Sequence, residues 1–200
     1  MAKIICNNKI ILASTSKIRK KILKDLGFKF KTISPSFDEE KAKKTITKLS
    51  VAKQTLFLAK GKGLDISKVK KDALVIGSDQ ICQLGDEIIS KPKNKNEAIY
   101  QLKKLNGKIH YQNNAVSVCQ NGKEIFSCAQ KAKIKMRILS ESDIKAYVNL
   151  DNPVGCAGSY KIESFGRHLF KEIQGDVSAI SGIAIQPLLD FLHQNNFIKI

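Results

Sequence analysis

The sequence predicts an α/β protein built on a mixed sheet. Strand-like and helix-like segments follow one another without the strict alternation of a doubly wound fold. Two long strand-like runs, KIHYQNNAVSVCQ and EIFSCAQKAKIKMRIL, are joined by Asn121-Gly122, a dipeptide that favours a tight hairpin. Elsewhere a short apolar run leads directly into an amphipathic stretch, as in ILASTSKIRKKIL at residues 11–23.

Taken in order, the first strand is expected over Lys9 to Ala13. A helix follows from about Ser16 to Leu26, with Ile18, Ile22, Leu23 and Leu26 on one face and Gly27 as its terminator. FKFKTIS alternates and reads as a half-buried strand. LSVAKQTLFLAKGKG reads as an amphipathic helix closed by its glycines, and ALVIGSDQICQL as a nearly continuous apolar strand with polar residues in its middle. DEIISKP reads as the returning strand of a hairpin. NKNEAIYQLKKLNG carries Asn94 and Glu97 in capping-box spacing and ends in Asn-Gly, so it reads as a capped helix. After the long hairpin, SESDIKAYVNL has Ser140 and Asp143 in the same spacing. PVGCAGSYKIESFG is small, glycine-rich and irregular, HLFKEIQGD suggests a short strand and turn, and IAIQPLLDFLHQ a helix that tolerates Pro187 in its first turn.

The 200 residues, 42% of them hydrophobic, suit one domain spanning 1–200, either compact or as two small lobes. Runs such as IILA and ALVIG are too short to span a bilayer, and the N-terminal stretch lacks the apolar core of a secretory signal. The expectation is therefore no membrane partner. Cys6, Cys82, Cys119, Cys128 and Cys156 are odd in number and form no CxxC pair, which fits a reduced cytoplasmic protein with Cys82, Cys119 and Cys156 as small buried apolar residues. The net charge is +17 at pH 7, but only Arg19, Arg137 and Arg167 are arginines. Bidentate readers of nucleic acid use arginine, so the scattered lysines argue for attraction of polyanions in general and against a specific nucleic-acid partner.

Several residues could carry chemistry. Asp79 lies inside a run that is otherwise fit for burial, where a carboxylate needs a partner; a bend at Gly77 capped by Asp79 is the plainer alternative. SFDEE supplies Glu39 just after a strand and could equally be a solvated acidic turn. Together, Glu39 and Asp79 offer oxygen ligands on loops at strand ends, which Mg²⁺ or Mn²⁺ would accept alongside substrate phosphates. Pro92 holds Lys91 extended, and Gly61 and Gly63 flank Lys62 so that a backbone could come close to a ligand. Ser14, Thr15 and Ser16 sit at a strand-to-helix junction with Arg19 and Lys20 one turn on. A helix cap explains one hydroxyl; an anion site explains the cluster. His110, His168 and His193 are isolated and read as structural or surface residues.

ILASTSKIRKKIL, SPSFDEE, VIGSDQI, SKP and CAGSYKIESFG occur in this order over about Lys9 to Leu192, and with them the chain resembles the Maf family of nucleoside triphosphate pyrophosphatases. GSDQ followed by CAGSYK.E.FG resembles the branch that hydrolyses 7-methyl-GTP. The resemblance implies an elongated, twisted mixed sheet with flanking helices, two lobes around a central cleft, and often a homodimer. It implies cleavage between the α- and β-phosphates of a nucleoside triphosphate, with a divalent cation, in a housecleaning role in the cytoplasm. Asp79 falls on the proton acceptor, and Glu39, Lys62 and Lys91 on cleft positions tied to metal and phosphate. Ser14, Ser16, Arg19 and Lys20 fall on the phosphate-binding start, and Ile18, Gln80 and Glu163 on positions that tune base choice. Ile18 stands where that branch often has an aromatic ring, and Lys20 where it often has a second arginine. Two other functions stay open: the same reaction on UTP, dTTP or CTP, and a basic protein that holds nucleotides or RNA without cleaving them.

Overall fold

The computed structural model describes residues 4–199; the first three residues and the last of the expected 1–200 domain lie outside them. In chain order the elements are β1 (Ile5–Cys6), β2 (Lys9–Ala13), α1 (Lys17–Asp25), β3 (Phe30–Thr32), α2 (Glu39–Thr45), α3 (Val51–Ser67), β4 (Ala73–Leu84), β5 (Glu87–Ile89), α4 (Lys95–Leu105), β6 (Ile109–Gln120) and β7 (Lys123–Met136). Then come α5 (Glu141–Asp151), a 3-10 turn (Phe165–Leu169), β8 (Phe170–Gln174), α6 (Val177–Ser181), α7 (Ile185–Gln194) and β9 (Ile198–Lys199). The chain divides into two compact units. The first holds residues up to Asp79, Asn114–Gln130 and the chain from Gly182 onward; the second holds Gln80–Asn113 and Lys131–Ser181.

In the first unit the strand order is β3-β2-β4-β6-β7. β2 pairs in parallel with both β3 and β4, which sets Leu12 beside Ile76 and Ala13 beside Gly77. Ile11, Ala13, Ile66, Ala73 and Val75 form a buried core under this pairing. Helix α1 starts as expected: Ser16 caps it by accepting the Arg19 amide at 3.4 Å, and Gly27 follows it at φ +79°. Two readings are corrected. The acidic turn is the start of α2, where Asp38 accepts the Lys41 amide at 2.9 Å and Glu39 opens the first turn. A local cap in a short polar segment had overridden its loop-like composition. Helix α3 also runs through Gly61 and Gly63 to Ser67. A Cβ on Gly61 would meet the Phe37 ring at 2.5 Å, and one on Gly63 would meet Cys119 Sγ at 2.8 Å. These glycines admit neighbouring side chains of the protein; they neither end the helix nor open its backbone to a ligand. The two-residue β1–β9 pair had no counterpart among the expected elements.

In the second unit the order is β5-β4-β6-β7-β8, with β4–β5 and β7–β8 antiparallel. Parallel and antiparallel pairings together make the mixed α/β architecture that was expected. Leu102, Leu105, Ile134, Met136, Ile144 and Ile162 are fully buried in its core, with Tyr160 and Phe170 beside them. Asn94 caps α4, and Ser140 and Asp143 complete a capping box on α5, worth about 1 kcal/mol. His110 is buried against Tyr160 and Phe170, with Nε2 2.9 Å from the Tyr160 hydroxyl.

Burial pulls the His110 pKa from 6.5 down to about 4. Below pH 6.5 the unfolded chain takes up a proton that the fold refuses. Stability is therefore full above that pH and declines towards pH 4, by up to about 3 kcal/mol. Denaturant melts at several pH values should show a shallower acid slope for His110→Gln than for the native chain. Parallel slopes would contradict this account.

Candidate functional site

The site grows from the parallel pairing of β2 and β4. Because Ala13 lies beside Gly77, the hydroxyl-rich junction after β2 emerges next to Ser78 and Asp79. Glycine at position 77 lets α3 lie almost on the strand: a Cβ there would stand 2.2 Å from the Ala59 carbonyl oxygen and 2.8 Å from the Gly63 nitrogen. Lys62, on the same turn of α3, then reaches Asp79 two residues along β4. Asp79 caps no bend at Gly77; both lie inside β4, and Asp79 is 4% exposed. Neither acid sits on a loop, since Glu39 is helical.

The charges are closely matched. Lys62 Nζ lies 2.6 Å from Asp79 Oδ1 and 2.7 Å from Glu39 Oε2, so one ammonium bridges both acids. Glu39 Oε1 takes a second ammonium, Lys43, at 2.8 Å. Burial would push the Glu39 carboxyl up, but Lys62 and Lys43 outweigh it and hold the pKa at about 2.

Arg19 ties the junction to β4. Its Nε donates to the Gly182 carbonyl at 2.6 Å, and Nη1 donates to the Ser78 carbonyl at 2.9 Å and to Ser14 Oγ at 3.3 Å. Ser14 Oγ also accepts the Ser16 amide at 3.1 Å, and Ser78 Oγ donates to the Gly182 carbonyl at 2.9 Å. Burial lowers the Arg19 pKa against the opposing fields of Asp79 and Glu39, so its charge is felt by both acids. Asn114 secures the strand by donating to the Asp79 carbonyl at 3.0 Å while accepting the Ala184 amide at 2.8 Å. The first unit thus brings together Ser14, Ser16, Arg19, Glu39, Lys62 and Asp79. Lys20 is exposed and Ile18 half-buried on α1.

Gln80, Lys91 and Glu163 belong to the second unit. Gln80 donates from Nε2 to Gln112 Oε1 at 2.9 Å and to the Ile180 carbonyl at 2.7 Å. Lys91 and Glu163 are grouped with Lys161 and Asp151 around Cys156, whose thiol burial pushes up while those charges act on it. Cys156 is therefore a half-buried thiol in a charged setting, whereas Cys82 and Cys119 are buried as expected. Partial desolvation, reinforced by Asp151, raises the Glu163 carboxyl.

Lys43 and Asn114 were not foreseen. Lys43 stands four residues after Glu39, a spacing that signals a pair only once the segment is read as helix. Asn114 belongs to the polar run Gln112–Asn113–Asn114, out of place in a buried strand in the way Asp79 is.

Among the described residues no group of three or more His, Cys, Asp or Glu forms a metal cage. Two carboxylates beside a hydroxyl-rich junction would suit Mg²⁺ or Mn²⁺, which commonly take one or two carboxylates and complete their shell from substrate phosphates. Nor is any described helix long and apolar enough to cross a membrane.

The site thus joins a parallel strand pair, a hydroxyl-rich helix start and two acids bridged by a buried ammonium. The chain belongs to the Maf-like protein family, whose model matches residues 9–195. It is 33% identical to a nucleoside triphosphate pyrophosphatase of Legionella pneumophila over 192 residues, 96% of each chain. Identity to the nucleoside triphosphate pyrophosphatase of Hyphomonas neptunium is 37%, over 92% of this chain and 94% of that one. A 7-methyl-GTP pyrophosphatase of Brucella abortus is 34% identical, over 95% of this chain and 98% of that protein. Among solved structures, a nucleoside-triphosphatase, dITP/XTP pyrophosphatase, from Mycobacterium abscessus superposes with TM-score 0.40 at 11% identity over 93% of each chain.

Proposed function

We infer that this protein is a nucleoside triphosphate pyrophosphatase, an acid-anhydride hydrolase that releases a nucleoside monophosphate and pyrophosphate. The observation that carries the reading is the Lys62 ammonium shared between Asp79 and Glu39, with Arg19 acting on both acids. Family membership and the names of the relatives support it. In this reading Asp79 accepts a proton from water as the water oxygen bonds to the α-phosphorus and the bond to the β-phosphate's bridging oxygen breaks. Ser14 and Ser16 line the start of α1, where backbone amides and the helix dipole favour phosphate, and Arg19 and Lys20 add positive charge. Glu39 and Asp79 would hold a divalent ion, which when bound offsets phosphate charge and acidifies water. Mixing the purified chain with a nucleotide panel and Mg²⁺ or Mn²⁺ tests the reading; binding without turnover of any nucleotide would instead favour a carrier.

For the base, the reading is 7-methyl-GTP. CAGSYKIESFG and the resemblance to the Brucella relative support it, and the chemistry agrees. N7-methylation makes guanine cationic, and a carboxylate at Glu163 can accept its N–H groups while balancing that charge. Gln80 and Ile18 are the other positions assigned to base choice. Glu163→Gln should lower the ratio of 7-methyl-GTP to UTP hydrolysis by about ten-fold, the worth of one charge-assisted hydrogen bond. An unchanged ratio would leave UTP, dTTP and CTP as equal candidates.

A further inference from the structure

The ammonium of Lys62 stands where two carboxylates would otherwise meet a divalent ion. We propose that Lys62 is a tethered stand-in for that ion: it closes the gap between Glu39 and Asp79 in the nucleotide-free enzyme and transfers to the triphosphate when the carboxylates take up metal. The proposal rests on the metal reading above and adds an order to it.

Three observations lead there. Lys62 engages one oxygen of each acid, at 2.6 and 2.7 Å, so an ammonium already fills the position between the two carboxylates. The acids could not stay this close as carboxylates in so enclosed a place without a cation between them, because like charges disfavour joint ionisation. The charges of Glu39, Glu40, Asp79, Lys62, Lys43 and Arg19 also cancel: Lys43 pairs with Glu39 at 2.8 Å and Glu40 at 2.9 Å, and Arg19 acts on Glu39 and Asp79. A divalent ion alone would leave this balanced cluster with two excess positive charges. A divalent ion brought with a triphosphate carries its own counter-charge and gives the released ammonium a new partner. Lysine suits such an exchange, since its charge is a point on a flexible four-carbon stem. The free enzyme should therefore bind metal weakly and the nucleotide-bound enzyme tightly, with Lys62 setting the difference.

Mn²⁺ binding, read by the electron paramagnetic resonance signal of the free ion, tests this without catalysis. Lys62→Met should bind Mn²⁺ at least about ten-fold more tightly than the native chain when no nucleotide is present. A non-hydrolysable α,β-methylene triphosphate should close most of that gap. Lys62→Gln serves the same comparison if Lys62→Met does not fold. The native chain offers a check that needs no variant: the Lys62 ¹⁵Nζ resonance should move with Mg²⁺ plus the analogue and stay in place with Mg²⁺ alone. If the native chain binds Mn²⁺ alone as tightly as the variant, Lys62 does not compete and the exchange is refuted while the metal site stands. If neither chain binds Mn²⁺ even with the analogue, the metal assignment fails and the exchange with it.

Discussion

Asp79→Asn is expected to lower kcat for pyrophosphate release by about 10²- to 10⁴-fold, the range a general base contributes. The substitution keeps the shape and a hydrogen-bonding oxygen for Lys62, so α3 and β4 stay in register. What it removes is the proposed proton acceptor and one of the two negative charges around the ammonium. Lys62 retains Glu39 at 2.7 Å, so it is not left as an unpaired buried cation. That argues against the loss of about 3–5 kcal/mol seen when a buried pair loses its sole partner. Thermal melts with steady-state kinetics separate the cases. A folded Asp79→Asn enzyme with near-native kcat would remove Asp79 from the chemistry.

Gly77→Ala is expected to damage the fold of the first unit severely for so conservative a change. Its added methyl would lie 2.2 Å from the Ala59 carbonyl oxygen and 2.8 Å from the Gly63 nitrogen. Both obstacles are backbone, so no side chain can swing aside and α3 must move off β4. Overpacking of this kind costs about 1–3 kcal/mol or more. For a chain of this size each kcal/mol lowers Tm by about 2–4 °C. Moving α3 also draws Lys62 away from Asp79, so activity should fall even at temperatures where the variant is folded. A Gly77→Ala protein with native Tm and native activity would show that the close packing does not set the Lys62–Asp79 distance.

These two positions illustrate what could be read before the structure. Asp79 was visible as a carboxylate in an apolar strand, and Gly77 as its neighbour, but the reason for Gly77 lies on α3, eighteen residues back at Ala59. Local signals served well where chemistry is local: the Asn121-Gly122 turn with both residues at positive φ, the Ser140–Asp143 capping box, and the start of α1 at Ser16. They failed where tertiary contact decides. Gly61 and Gly63 looked like helix terminators because only Phe37 and Cys119 reveal what the missing side chains make room for. Helix α2 was hidden because seven mostly polar residues carry little periodicity, and with it went Lys43. Ser14, Ser16, Arg19, Glu39, Lys62 and Asp79 were all named from sequence, yet Arg19 emerged chiefly as a brace, its Nε and Nη1 bonded to protein acceptors.

The most direct test of the proposed chemistry is the identity of the products. Phosphorus NMR of the native chain with Mg²⁺ or Mn²⁺ and 7-methyl-GTP, UTP, dTTP or CTP should show monophosphate and pyrophosphate appearing in equal amounts from at least one nucleotide, and none with Asp79→Asn. Orthophosphate with a nucleoside diphosphate, or a panel left intact, would contradict it.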